Sequence, residues 1–269
     1  MYRTIDDLQI HYAQDGQGTD LILIHGLGGS LHDWDASTPS LSRCHRVLRW
    51  DVRGFGNSDR PEGPYTPQLF ARDLAGLVRS LEISAAHVAG ISMGGVIAQR
   101  FALDYPELMR SLTLISTSSE VGEAARQAWS KMADAIEQRG FTANAGFAER
   151  IFAPSFIKSH PQEVQDMAAR TAANDPHAYA AAARAIGSFN WTAELSRIRV
   201  PTLILQGLED GLTPPGGSIK LSRGIFCSRL LMIPDCGHVV PVEKPELFTQ
   251  TLLAFLAGVD LSRASSLQN

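Results

Sequence analysis

Three residues of the types that together perform nucleophilic catalysis lie far apart in the chain, each within two residues of a glycine. Ser92 lies in VAGISMGG, between an apolar β-type run and a helix-compatible run. Asp210 follows the apolar run 201–207, and His238 follows the run 229–234. A serine whose proton passes to a histidine held by a carboxylate attacks carbonyl carbon and forms an acyl-enzyme. The sequence therefore predicts acyl transfer, with Ser92 as nucleophile, His238 as general base and Asp210 as the acid that orients it.

The pattern around Ser92 is informative because of its setting. Gly90-x-Ser92-x-Gly94 falls where a buried strand meets a helix, which is the setting of a nucleophile elbow. Such a turn strains the serine backbone, and glycines at Gly90, Gly94 and Gly95 leave room for it. The turn directs the backbone amide of Met93 at the reacting centre. A glycine-rich packing turn between strand and helix is the structural alternative.

A second glycine-rich loop, HGLGG at 25–29, follows the apolar strand candidate 20–25. Acyl transfer requires two hydrogen-bond donors for the oxyanion. We expect the amide of Leu27 to act with that of Met93, and His25 to brace the loop. The loop lacks both the third glycine of a dinucleotide-binding loop and a following Gly-Lys-Ser/Thr, so nucleotide binding is not expected.

The acid and base assignments have competitors. Glu209 precedes Asp210 in the same turn, but the shorter side chain suits the tip of the loop, and Glu209 is expected to be solvated. Among the other histidines, His87 lies in a strand candidate, and His160 and His177 lie in a helical segment. None of these has the loop setting that lets an imidazole reach a serine on another strand.

Composition limits the classes of function. The chain has 269 residues, 44% of them hydrophobic and 19% charged, with a formal net charge of −4. This composition is typical of a globular protein, and without a cationic cluster neither nucleic acid nor a membrane is an expected partner. The start of the chain has no apolar core of signal-peptide length, and no uncharged apolar stretch reaches the roughly 18 residues that span a bilayer.

The cysteines and the ligand spacing argue against a disulfide framework or a metal centre. The three cysteines, Cys44, Cys227 and Cys236, are odd in number and widely spaced, which suits free thiols in a reducing compartment. We therefore expect a cytoplasmic protein. No His-Glu-x-x-His spacing is present, so no metal and no cofactor are expected, and activity should withstand chelators. No feature of the sequence indicates an oligomeric state.

Short apolar runs alternate with helical patterns, which predicts an α/β fold with a mostly parallel sheet and helices on both faces. Continuous runs of Leu, Ile and Val are typical of strands covered on both faces. The strand candidates are 8–13, 20–25, 45–51, 85–91, 111–117, 201–207 and 229–234. Helices are predicted from Thr66 as N-cap to about residue 81, over 94–106 with a stop at Pro106, and from Pro245 to near Gly258.

The segment 118–195 interrupts this alternation because it contains no convincing strand. It is rich in Ala, Gln, Glu and Arg, with helical patterns at 127–140, 162–173 and 176–189. We interpret it as a helical cap over one end of the sheet, on a core formed by 1–117 and 196–262. Peripheral helices without a role at the site are the alternative. The polar tail 263–269 is expected to be disordered.

These motifs resemble the α/β-hydrolase superfamily over nearly the whole chain. The order Ser92, Asp210, His238 is the triad order of that superfamily. The stretch RWDVRGFGNSDRP (49–61) matches the loop these proteins carry after the third core strand. In that loop, the residues expected to build a turn are Asp51, Arg53, Gly54, Gly56 and Ser58. The resemblance implies the α/β-hydrolase fold, with a helical cap inserted after the sixth strand.

Within the superfamily the chain resembles the 3-oxoadipate enol-lactonase and carboxylesterase branch. This resemblance is carried by HDWDASTPSLSRCHRVLRWDVRGFGNSDRPEGPYT, LTLISTSSEVGEAARQAW and FAPSFIKSHP. It implies a cofactor-free enzyme of the carboxylic-ester hydrolase class, acting on a small ester or lactone. Trp34 and Gly28 are candidate residues of the substrate pocket, and Trp34 has packing of the loop as its alternative role.

Three other functions of the same fold stay open. Hydrolases that cleave carbon–carbon bonds of ring-fission products carry Gly-Pro-Gly after the oxyanion histidine, whereas this chain has Gly28-Gly29-Ser30. Cofactor-free haloperoxidases or perhydrolases use the same triad. A receptor that turns its ligand over slowly also keeps the triad. Epoxide hydrolases and dehalogenases of this fold place an aspartate at the elbow, so Ser92 argues against both.

Overall fold

The computed structural model describes residues 1–141 and 147–266, and its centre is an eight-stranded sheet in the order β1-β2-β4-β3-β5-β6-β7-β8. The first two strands are antiparallel to their neighbours, and the other pairings are parallel. The strands are β1 (Tyr2–Ile5), β2 (Leu8–Asp15), β3 (Thr19–Ile24), β4 (His45–Trp50), β5 (Ala86–Ile91), β6 (Met109–Ile115), β7 (Thr202–Gly207) and β8 (Ser228–Ile233).

Helices cover both faces of this sheet. They are α1 (Thr38–Leu41), α2 (Pro67–Ser80), α3 (Met93–Asp104), α4 (Glu123–Arg139), α5 (Phe147–Ile151), α6 (Pro154–Ser159), α7 (Pro161–Ala172), α8 (Pro176–Ile186), α9 (Gly216–Gly224), α10 (Val240–Glu243) and α11 (Pro245–Ser266). Short 3-10 helices span Leu31–Trp34, Pro106–Leu108 and Thr192–Arg197. The apolar side chains of α2 and α3 pack in one core cluster, and those of α11 pack in a second one. The predicted mostly parallel sheet with helices on both faces is confirmed.

The strand that sequence patterns did not predict is β1. Its residues Tyr2–Ile5 pair with β2 at the edge of the sheet and are mostly exposed. Because neither face of this strand is buried, its sequence shows neither an apolar run nor an alternation. By contrast, every residue of β5 is buried, which explains why the run 85–91 was recognisable.

Helix α11 continues past the predicted end near Gly258 and reaches Ser266. Its buried residues Phe248, Leu252, Leu256 and Val259 form one stripe that crosses the position of the glycine. The packing of this stripe therefore outweighs the low helix propensity of one glycine. Residues 263–266, predicted to be disordered, are helical, and 267–269 lie outside the described residues. Among the described helices, α11 included, none combines the length and apolar character needed to cross a membrane.

Five helices, α4–α8, lie between β6 and β7, and we call them the cap. In the described part of 118–195 the only β-type pairing is an isolated bridge between Glu120 and Asn190. The predicted patterns at 127–140, 162–173 and 176–189 correspond to α4, α7 and α8. The chain thus leaves the sheet at the carboxyl end of β6 and returns to it at β7, and the elements described between these two strands are helices.

Candidate active site

Ser92 lies in a sharp turn between β5 and α3. Its backbone has φ +54° and ψ −115°, in the left-handed half of the map that costs a non-glycine residue about 1–3 kcal/mol. The turn is held from β6 and its following residues, since Ser92 N donates to Ile115 O at 2.9 Å and Thr117 Oγ1 donates to Ser92 O at 3.0 Å. This arrangement is the strained strand-to-helix turn that lifts a serine hydroxyl off the sheet.

A glycine is required at position 90, because the end of β5 and the start of α3 approach each other closely there. A Cβ at Gly90 would overlap the backbone of Gly94, and a Cβ at Gly94 would overlap the carbonyl of Ile24 on β3. Strand, turn and helix therefore approach each other more closely than any side chain at these positions permits. The sequence-based role of these glycines as clearance for the turn agrees with this geometry.

Asp210 and His238 form a buried hydrogen-bonded pair. His238 Nδ1 lies 2.8 Å from Asp210 Oδ2, and their side chains are 5% and 0% exposed. The second oxygen, Asp210 Oδ1, accepts from the amides of Leu212 at 2.9 Å and Thr213 at 2.8 Å. Burial raises the pKa of Asp210, but His238 and the Thr213 hydrogen bonds outweigh burial and leave this pKa below its usual value. The carboxylate is thus ionised at neutral pH and fixes the proton of His238 on Nδ1.

Thr213, which the sequence analysis missed, contacts both members of this pair. Its Oγ1 lies 2.7 Å from Asp210 Oδ2, 3.1 Å from His238 Nδ1 and 2.9 Å from Ser116 O. Gln206 Nε2 also donates to Asp210 Oδ2, at 3.1 Å. The spacing Asp-x-x-Thr is a signal for Thr213, because an aspartate in a turn accepts from backbone and hydroxyl groups a few residues on.

Glu243 is a second residue that the sequence analysis missed. This buried carboxylate accepts from the amides of Gly237 at 2.9 Å and Val239 at 3.3 Å, on either side of His238. It also accepts from the amide of Ala153 in the cap, at 2.9 Å. Burial raises the pKa of Glu243 above its usual value, against the lowering effect of these amides. In the sequence Glu243 resembles any acidic residue near a helix start, so only the folded loop reveals its role.

The cap is hydrogen-bonded to the loops that carry the acid and the base. His238 N donates to Ile151 O at 2.5 Å, and Gly211 N donates to Arg150 O at 3.0 Å. Ile151 also belongs to a buried cluster with Phe152, Ala153 and Phe156, against which Val239 and Val242 pack. The position of His238 is therefore set by the cap as well as by its own loop.

Ser92 and His238 are brought to the same edge of the sheet without a direct hydrogen bond in the described structure. Ser92 follows β5, and Asp210 and His238 follow β7 and β8, so all three lie at the carboxyl ends of parallel strands. The residues after β6 connect the turn of Ser92 with the loop of Asp210. Thr117 Oγ1 donates to Ser92 O, and Ser116 O accepts from Thr213 Oγ1. In ligand-free enzymes such catalytic hydrogen bonds are often long and tighten when substrate binds.

The loop 25–29 lies against the elbow and has a defined histidine tautomer. His25 Nε2 accepts the amide of Val52 at 3.0 Å, so Nδ1 carries the proton and donates to Gly26 O at 2.7 Å. A Cβ on Gly26 would lie 3.5 Å from Ser92 Cβ. Within the described residues, the amides of Leu27 and Met93 have no hydrogen-bond partner. One free amide donor therefore lies in the elbow and another in the loop packed against it, and His25 braces that loop.

The two candidate pocket residues have different positions. Gly28 has φ +79°, its carbonyl accepts from Asn174 of the cap at 2.8 Å, and a Cβ there would lie 2.9 Å from the Tyr179 ring. Gly28 thus lies at the contact between loop and cap. Trp34 is only 1% exposed and packs against Phe248 of α11, with ring centroids 5.9 Å apart. The burial of this indole in the core favours the alternative role of Trp34, which is packing, over a role in the pocket.

The loop after β4 is structural, in agreement with its interpretation from sequence. Asp51, 1% exposed, accepts from Leu31 N at 2.7 Å and from Asn57 N at 2.9 Å, and its Oδ2 lies 2.8 Å from His11 Nδ1. Ser58 Oγ donates to Asp51 O at 2.6 Å. Asp51 therefore ties its own turn to the start of the helical segment that follows the loop 25–29.

Comparisons with known proteins agree with this geometry. A family model described as the alpha/beta hydrolase fold matches residues 20–245. The 3-oxoadipate enol-lactonase 2 of Acinetobacter baylyi is 30% identical over 256 residues, which are 94% of this chain and 95% of that protein. A putative carbamate hydrolase, RutD of Azorhizobium caulinodans, is 28% identical over 262 residues, 94% of this chain and 97% of the relative.

Among solved structures, a thermophilic esterase from Thermogutta terrifontis superimposes with a TM-score of 0.89 at 29% identity, and the match covers 94% of each chain. The predicted resemblance to the enol-lactonase branch is confirmed by these relatives. Both the family model and the full-length matches span the elbow, the acid loop and the histidine loop. The chain is therefore a hydrolase that belongs to the alpha/beta hydrolase fold family.

Proposed function

We propose that this protein is a cofactor-free serine hydrolase that cleaves a small carboxylic ester or lactone through an acyl-enzyme, within the class of carboxylic-ester hydrolases. The observation that carries this proposal is the buried 2.8 Å hydrogen bond between His238 Nδ1 and Asp210 Oδ2 at the same sheet edge as Ser92. Because Nδ1 holds the proton, the lone pair of Nε2 is free to accept the proton of a serine hydroxyl.

The proposed reaction has two steps. Ser92 Oγ attacks the carbonyl carbon while His238 Nε2 takes its proton, and the amides of Leu27 and Met93 stabilise the oxyanion. The intermediate expels the alcohol, which receives that proton from His238. Water, deprotonated by His238, then attacks the acyl-enzyme, and the second intermediate releases the carboxylic acid as Ser92 Oγ regains its proton from His238. Asp210 stabilises the imidazolium in both steps.

The proposal extends to the organisation of the chain. We propose that 1–117 and 196–262 form the catalytic core and that 118–195 form the cap above the site. Two contacts support this division, His238 N to Ile151 O and Asn174 Nδ2 to Gly28 O. Each joins the cap to a loop beside Ser92. The cap is therefore expected to select the substrate.

The test is the Ser92→Ala variant, assayed on p-nitrophenyl acetate. We expect kcat to fall by roughly 10⁴-fold or more without loss of the folded state, because the triad acts as a unit. Ser188→Ala, which alters an exposed serine of the cap, is the matched control and keeps wild-type activity. Retention of substantial activity in Ser92→Ala would overturn the nucleophile assignment.

The substrate class is tested by a side-by-side panel of short acyl esters, aromatic esters, an enol-lactone and a carbamate. Sustained turnover of an ester or lactone is expected, and faster turnover of the carbamate would reassign the leaving group. Product formation that stops near one equivalent of enzyme would instead indicate a receptor. Carbon–carbon cleavage and peroxide-dependent oxidation are assayed as the remaining alternatives.

A further inference from the structure

Two buried histidines lie at the amino-terminal ends of their strands, at the opposite ends from the loops that carry the candidate catalytic residues. His45 is the first residue of β4, and His87 is the second residue of β5. Strand β3 separates them, with Leu21 paired to both Val47 and His87. Since His45 precedes Val47 by two residues, both imidazoles project from the same face of the sheet.

Helix α11 supplies a carboxylate on that face. Leu252, Leu256 and Asp260 follow one another at intervals of four residues, so the stripe that packs on the sheet ends in Asp260. Asp260 Oδ1 lies 3.1 Å from His87 Nε2. One nitrogen of each imidazole and one carboxylate oxygen all lie within 4.8 Å of one another.

The state of these side chains suits metal ligation. His45 and His87 are 5% and 0% exposed. His45 Nδ1 is buried and has no hydrogen-bond partner. A buried polar atom without a partner calls for an explanation, and a bound ion is one such explanation.

The surroundings are compatible with an ion. Ser111 Oγ lies 2.8 Å from His87 Nδ1, so this hydroxyl can accept an N–H if Nε2 turns its lone pair to a metal. Asp260 is 31% exposed, which provides access from solvent and room for a water ligand. Arg110 Nη1 lies 3.7 Å from Asp260 Oδ1 and competes for the carboxylate, so this ion pair must loosen when a metal ion binds.

We propose that His45, His87 and Asp260 form a structural site for a divalent transition-metal ion of the zinc type. Two imidazole nitrogens, one carboxylate oxygen and one water complete a tetrahedral set for Zn²⁺ or Co²⁺. Such an ion joins β4, β5 and the C-terminal part of α11. It takes no part in hydrolysis, because it lies at the opposite ends of the strands from Ser92.

The test uses the full chain after removal of metal with a chelator, titrated with Co²⁺ and with Zn²⁺. We expect one Co²⁺ per chain with the visible absorption of a four-coordinate ion, and a higher Tm with Zn²⁺. His45→Gln and Asp260→Asn each weaken Co²⁺ binding by about tenfold or more, since each removes one of three protein ligands. His32→Gln, which alters an exposed histidine beside Asp35, is the control and keeps the wild-type titration.

A second measurement guards against variants that fail to fold. X-ray absorption of the Zn²⁺-loaded wild-type chain is expected to show two imidazole ligands. An absence of binding, a six-coordinate spectrum, or a titration that His45→Gln and Asp260→Asn leave unchanged would overturn the proposal. Ester hydrolysis by the chelator-treated chain is expected to be unchanged, and loss of activity there would contradict the structural role.

Discussion

At the scale of single residues, the acid–base pair depends on a hydroxyl group that bonds to both of its members. The carboxylate oxygen Asp210 Oδ2 accepts from His238, from Thr213 and from Gln206. Thr213 Oγ1 is also within 3.1 Å of His238 Nδ1. The orientation of the imidazole is thus fixed by a network, and Thr213 is its positioning residue.

Replacement of Thr213 by valine is expected to lower kcat with little change in KM. A hydrogen bond to a charged group contributes about 1.5–3 kcal/mol, which corresponds to roughly 10- to 100-fold in rate if it is lost in the transition state. Steady-state kinetics on p-nitrophenyl acetate measure this effect. Thr213→Ser keeps the hydroxyl and should retain most of kcat, and a wild-type kcat in Thr213→Val would contradict the positioning role of this hydroxyl.

The candidate catalytic residues were predictable from a local pattern, because each follows an apolar strand and lies within two residues of a glycine. Thr213 and Glu243 were not predicted, since their partners come from the folded loop and, for Glu243, from Ala153 in the cap. Trp34 was ambiguous for the same reason. An aromatic residue after a glycine-rich loop suits a pocket or a core equally well, and only its contact with Phe248 decides.

At the scale of elements, the elbow and helix α11 make opposite use of glycine. At Gly90 a side chain would enter the backbone of Gly94, whereas at Gly258 nothing lies within 4 Å of the position a Cβ would take. The first glycine is therefore required by close packing. The second is an ordinary solvent-facing position in a helix, where glycine only weakens the element.

Gly90→Ala should destabilise the fold by about 1–3 kcal/mol or more, as overpacking does, and should lower kcat by displacing Ser92. Gly258→Ala should stabilise it by about 0.5–1 kcal/mol and leave kcat unchanged. Urea unfolding of both variants measures the free energies. A wild-type stability in Gly90→Ala would contradict the close approach of strand, turn and helix.

The helices and strands with a strong hydrophobic pattern were predicted well. The two errors, the end of α11 and the missed strand β1, have physical causes. The buried parallel strands carry continuous apolar runs, and Thr66 caps α2 as expected by accepting from Leu69 N at 3.0 Å. The end of α11 was misjudged because a local propensity was weighed without the tertiary contacts of Val259. Strand β1 has no buried face, so it left no pattern in the sequence.

At the scale of the whole molecule, the thiols report how tightly the histidine loop packs on the core. Cys44 and Cys227 are exposed, whereas Cys236 is buried two residues before His238. Burial, with a further contribution from Glu243, raises the pKa of Cys236 to about 12. A thiol must be both accessible and ionised to react, so Cys236 is doubly protected.

A disulfide reagent at pH 8 is expected to modify two thiols of the native protein rapidly and the third only after unfolding. Counting the released chromophore with and without denaturant measures this difference. In a Cys44→Ala, Cys227→Ala double variant the native signal should disappear while the denatured signal remains. Rapid reaction of the native double variant would show that the histidine loop separates readily from the core.

The hydrogen bonds from Arg150, Ile151 and Ala153 to the acid and histidine loops have a consequence for chimeric enzymes. Caps of related hydrolases are natural units to exchange when a new specificity is sought. Here a transplanted segment must bring its own carbonyls to Gly211 and His238 and its own amide to Glu243. A graft that leaves residues 150–153 in place would keep these contacts. A graft that replaces them would alter the cap and displace His238 at the same time.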